Sequence, residues 1–225
     1  MNIKKILLSA VCILAVAGIS VMGTLAYLTD STAVVNTFTM GNVDIKLDEA
    51  VVDANGVAVT SGERTEQGNE YKLIPGKSYD KDPMITVIMG SEESYVRMLV
   101  TINCRAALDE ICDDQADTTL GTFFEGYDAQ TWNFVKETDN GDDTVTYEFR
   151  YKETVSAAEA TEDVKLEPLF TKFKVPGFFT GEDLKKLNDF KITVVGHAIQ
   201  ADGFADADAA WAAFVEPTTG NTTNP

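Results

Sequence analysis

Few side chains in this 225-residue chain are suited to chemistry. Its single histidine, His197, lies in TVVGHAIQ, an apolar run that reads as a strand. At such a position a histidine more often packs or sits at a surface edge than catalyses. There is no HExxH pair, so a helix-borne zinc-protease site is absent, and no G-x-S-x-G turn presents a serine. GERTEQGNE has neither the glycine spacing nor the lysine of a phosphate loop. Cys104 and Cys112 have no neighbouring histidine or basic cluster to favour a thiolate. Two readings of the pair stay open: a disulfide closing a short loop, and two buried free thiols. The acidic runs do not follow a calcium pattern. DNGDD at 139–143 lacks the alternating D-x-D-x-D-G of an EF-hand loop and its distant glutamate. Asp202, Asp206 and Asp208 fall in ADGFADAD, where the last two read as first-turn residues of a helix. No catalytic residue, cofactor or metal site is expected.

The N-terminus carries a different message. MNIKK supplies a positive start at Lys4 and Lys5, Ile6 to Met22 is apolar or small apart from two serines, and Thr24-Leu25-Ala26 is a small-x-small site. These are the parts of a secretory signal over residues 1–26, cut between Ala26 and Tyr27. The alternative is a retained membrane helix, for which the run is at the lower edge of spanning length and lacks a basic stop-transfer cluster. Val11 precedes Cys12 where a lipidation signal needs a small residue, so no lipid anchor is expected. Loss of the signal, which holds Lys4 and Lys5 and no acid, takes the net charge from −18 to −20. That excludes nucleic acid as a default partner and makes self-association depend on acid, salt or divalent cations.

The remaining patterns are those of strands. Val43, Ile45 and Leu47 alternate with polar residues, as do Val96, Met98, Val100 and Ile102, and again Val145, Tyr147, Phe149 and Tyr151. Each reads as a half-buried strand, and the denser MITVIM (84–89) and FKITVVGHAI (190–199) read as central strands. Pro75-Gly76 and Pro176-Gly177 mark turns, and Asn140-Gly141 marks a hairpin. Short helices are expected over 105–115, 181–187 and 206–214, and a disordered tail over 216–225. Apolar residues switch parity across Gly41, which calls for a bulge or kink. The expected fold is all-β, an antiparallel sandwich over residues 41–215 with short inserted helices, after an N-terminal signal helix.

GTLAYLTDSTAVVNTFTMGNVDIKLDE resembles the signal-to-mature junction of the TasA/camelysin-type family of secreted proteins. The matching features are Gly23-Thr24-x-Ala26, Tyr27, Asp30, Asn36-Thr37-Phe38, Gly41 and the strand at Val43, Ile45 and Leu47. LIPGKSYDKDPMITVIMGSEESYVRMLVTIN and HAIQADGF with AWAAF add supporting likeness. The resemblance implies a jelly-roll sandwich, processing by a SipW-type signal peptidase, and a role as a fibre subunit of an extracellular biofilm matrix. In that picture residues 27–40 form an arm, with Tyr27, Leu28, Val34, Val35 and Phe38 as its apolar contacts. Once cut free, the arm adds as a donor strand to the next copy. Thr29 to Thr32 is wholly polar and the alternation poor, so a flexible leader is the competing reading of the arm. An accessory or anchoring matrix protein is a further expected partner. Some relatives carry a metallopeptidase label, for which this sequence offers no zinc-ligand set. The competing functions are a camelysin-like secreted or surface metallopeptidase and a non-polymerising surface adaptor.

Overall fold

The computed structural model describes residues 42–113 and 120–215, all within the unit Gly41–Pro225. The expectations for the signal, the Ala26/Tyr27 cut, the arm, the Gly41 kink and the tail lie outside the described residues.

Antiparallel strands make up the fold, and helices are few and short. The first sheet runs β2-β1-β4-β9, from Arg64–Thr65, Ile45–Ala50, Met84–Val87 and Val164–Lys165. A second joins β3 (Ser78–Asp80), β10 (Lys172–Lys174) and β6 (Phe124–Glu125) in the order β3-β10-β6. The third runs β11-β5-β8-β7, from Ile192–Gln200, Ser94–Asn103, Thr144–Tyr151 and Trp132–Asp139. The helices are α1 (Arg105–Cys112), α2 (Leu120–Phe123), α3 (Gly181–Lys186) and α4 (Ala207–Ala213).

The core lies between the first and third sheets. Residues Val96, Met98, Val100 and Ile102 alternate strictly inward along β5 and meet Ile85 and Val87 of β4 in one cluster. Gly196 on β11 leaves room for side chains of the first sheet: an added Cβ would lie 2.9 Å from Ile85 Cδ1 and 3.6 Å from Ile45 Cδ1. The period-2 pattern thus produces the two-faced strands that a sandwich requires.

Turns fall where the residues demand them. Gly76 has φ +78°, and Lys77 N donates to Ile74 O at 3.1 Å. DNGDD joins β7 to β8, with Gly141 and Asp143 both left-handed. The Asp143 carboxylate accepts from Ala106 N at 2.8 Å, so the hairpin tip also caps α1. At α3, Thr180 and Asp183 make a reciprocal capping box.

Two expectations need correction. The run 190–199 is not a central strand: β11 is an edge, with β5 its only strand neighbour among the described residues. Its apolar density arises because helix α4 covers part of its outer face, where Phe214 stacks on His197 at 4.7 Å. Glu148, expected on a wet face, is 4% exposed, enclosed by Arg97 and Arg150. Of the two open readings of Cys104 and Cys112 the structure takes the free thiols, with Cys112 buried and Cys104 half-buried. Helix α1 separates them by roughly 12 Å at 1.5 Å per residue, beyond the reach of a bridge.

Candidate assembly interface

The third sheet has two edges of opposite character. On β7 the register shifts between Phe134 and Lys136, the mark of a bulge, and Lys136, Glu137 and Asp139 are exposed. A bulged, charged edge resists pairing with another chain. On β11 the register with β5 is continuous from Ile192 opposite Ile102 to Gln200 opposite Ser94. No bulge interrupts it, and no lysine or proline lies within it. Alternate residues of such a strand turn their N–H and C=O groups away from its one neighbour.

A groove abuts the start of this strand. One cavity of about 260 Å³ is lined by Leu47, Pro83, Ile192 and Val194, with Glu49 and Lys81. A second of about 510 Å³ is lined by Tyr71, Leu73, Phe173, Leu187 and Phe190. Both include Gln67, Gly68, Ile192 and Thr193, so the segment after β2 forms a wall opposite the start of β11. An extended chain here would find backbone partners on β11 and apolar side chains in the groove.

Charge borders the groove. Lys81 Nζ lies 2.5 Å from Glu49 Oε2, and both side chains are 8% exposed. Arg64 bridges Asp48 and Asp82, with Nη1 2.8 Å from Asp82 Oδ2. Four carboxyls elsewhere titrate below the usual range. Asp53 is held there by the N–H groups of Val57 and Asn55, Asp128 by Gln130 N and the Thr131 hydroxyl, and Asp183 by the Thr180 hydroxyl and N–H. At Asp80 burial pushes upward, but the Lys172 pair and Ala58 N outweigh it.

The residues available for catalysis lie apart. Arg97 Nε donates to His197 Nδ1 at 3.2 Å, on the sheet face opposite the core. Cys112 lines a cavity of about 100 Å³, below the size of small-molecule sites. Burial pushes both the Cys104 and Cys112 thiols up, away from thiolate. Among the described residues no three His, Cys, Asp or Glu side chains group to hold a metal ion. Asp206 caps α4 by accepting from Ala209 N at 2.9 Å, and Asp208 lies in its first turn.

The groove's acidic and basic side chains escaped the reading of the sequence. Asp48 and Glu49 follow the alternation of β1 and are both buried; in the sequence the only trace is that the apolar period of Ile45 and Leu47 stops at Glu49. No family model, curated protein or solved structure matches the chain.

Proposed function

We propose that the chain is a secreted structural subunit that assembles into extracellular fibres by strand addition. The fold is read as a jelly roll, preceded by a signal helix that a SipW-type peptidase removes. Residues 27–40 of one copy then pair with β11 of the next and lay Tyr27, Leu28, Val34, Val35 and Phe38 toward the groove. The observation that carries this reading is the asymmetry of the third sheet. Its β7 edge is bulged and charged, whereas β11 is regular and lies beside a partly apolar groove. One protected edge and one edge with no second strand neighbour among the described residues favour head-to-tail growth over random edge pairing. The arm is longer than the nine residues of β11, so length does not limit the pairing.

Deleting residues 27–35 from the mature chain tests the reading. Electron microscopy should show fibres for the full mature chain and only monomers for the deletion, with circular dichroism unchanged between them. Fibres from the deleted chain would reject the arm as donor.

Assembly should also depend on pH. A net charge of −20 after processing opposes approach of subunits, and ordinary carboxylates begin to neutralise near pH 4. Asp53, Asp80, Asp128 and Asp183 titrate lower. A depressed carboxyl contributes stability above its unfolded pKa and loses it as pH falls through the folded value. On acidification, light scattering should therefore rise before near-ultraviolet dichroism falls. Loss of dichroism first would mean that aggregation follows unfolding.

A further inference from the structure

We propose that Lys81 and Asn69 condense into an intramolecular amide, with Glu49 carrying the proton between them. The inference rests on the side-chain arrangement and stands apart from the fibre reading.

Glu49 holds both reactants on one carboxylate. Lys81 Nζ lies 2.5 Å from Oε2, and Asn69 Nδ2 donates to Oε1 at 2.8 Å. The carboxamide is fixed at its other end as well. Its Nδ2 also donates to Ala50 O at 2.9 Å, and its Oδ1 accepts from Val52 N at 3.1 Å, which polarises the carbonyl toward attack. The ion pair is withdrawn from water, the Lys81 and Glu49 side chains each being more than nine-tenths buried, while Asn69 is half-buried at the groove. The Tyr71 ring lies 6.0 Å from Lys81 Nζ, with its phenol pushed up by burial first and by Glu49 second. A buried ion pair of this kind adds little net stability, because desolvation offsets the attraction. One carboxylate that touches both an amine nucleophile and the leaving nitrogen of a carboxamide makes a candidate reaction site.

The step balances without an added reagent. Glu49 takes one proton from the Lys81 ammonium, leaving a neutral amine. The Nζ lone pair attacks Asn69 Cγ and forms a C–N bond. Glu49 passes a proton to Nδ2, the Cγ–Nδ2 bond breaks, and the nitrogen departs as ammonia. Glu49, a carboxylate again, takes the second proton from Nζ and hands it to the ammonia, which leaves as ammonium. The product is a secondary amide between Lys81 Nζ and Asn69 Cγ.

The link closes the segment 69–81, which includes part of the groove wall beside β11. In a fold with both described cysteines free, it supplies the constraint on the unfolded chain that a disulfide would otherwise give.

Tryptic mapping of the full chain by tandem mass spectrometry tests the proposal. Trypsin cannot cut at an acylated lysine, so the expected species is branched: Thr65–Lys72 joined to Ser78–Arg97, lighter than their sum by one ammonia. Lys81→Arg and Glu49→Gln should each abolish it and raise the intact mass by one ammonia beyond the substitution itself. Separate Thr65–Lys72 and Ser78–Lys81 peptides from folded wild type would overturn the proposal and leave an ion pair only. Ammonia loss mapped instead to a succinimide at Asn55-Gly56 or Asn140-Gly141 would overturn it too. The wild-type map decides even if a variant fails to fold.

Discussion

Truncation of Trp132 to alanine should lower folding stability by about 3–5 kcal/mol, the range for deleting a fully buried indole. Trp132 is the first residue of β7, 0% exposed, and the rest of that strand is mostly solvent-facing. Its ring meets Tyr151 edge-on with centroids 5.0 Å apart, and its Nε1 donates to Glu167 O at 3.1 Å. Tyr127 closes over it, donating its hydroxyl to Trp132 O at 2.8 Å and accepting from Phe134 N at 3.1 Å. One side chain therefore pins the protective edge of the sheet. Its loss creates a cavity and leaves the Glu167 carbonyl without its partner. Trp132→Phe keeps most of the apolar volume and removes the N–H, so its cost should be closer to about 1–3 kcal/mol. Urea denaturation of both variants checks the order. A Trp132→Ala cost under about 1 kcal/mol would show that β7 is held from elsewhere. The variant should also form disordered aggregates, since release of β7 uncovers the edge of β8.

What could be read in advance divides by the range of the interaction. β5 was legible because its alternation persists through all ten residues and one face is wholly buried. The hairpin at DNGDD and the three helices were legible because turn and cap chemistry is local, as the Thr180–Asp183 box shows. The position of β11 was not, because an apolar outer face reads the same whether a strand or a helix covers it. The groove was hidden for a related reason. Glu49, Asn69 and Lys81 are far apart in sequence, each unremarkable alone, and meet only when β1 pairs with β4 and the intervening segment folds back. Which strand lies at an edge is likewise a property of strand order, which no local pattern carries.

Glu148→Ala should cost about 3–5 kcal/mol, as expected when one partner of a buried charged network is removed. Glu148 Oε1 accepts from Arg150 Nε at 2.7 Å and lies 3.7 Å from Arg97 Nη1. Arg97 and Arg150 are direct cross-strand partners on β5 and β8, with side chains only 12% and 17% exposed. Without the carboxylate between them, two guanidinium groups face each other under a lid of aromatic rings. Trp211 covers Arg97 at 4.3 Å and Phe214 at 4.8 Å, while Asp208 at the start of α4 pairs with Arg150 at 2.5 Å. The Asp208 side chain is 88% exposed and cannot replace Glu148, since solvent screens its attraction. The repulsion should be relieved by release of the lid, so α4 should detach before the sheet unfolds. Hydrogen exchange can separate the two events: amides of 207–213 should lose protection in Glu148→Ala while those of β5 keep it. Uniform loss along both elements would mean that α4 and the sheet unfold as one unit. Glu148→Gln, which retains the shape and one acceptor, should fall between the two proteins. A glutamine variant as unstable as the alanine variant would identify charge, and not hydrogen bonding, as what Glu148 contributes to holding the C-terminal helix in place.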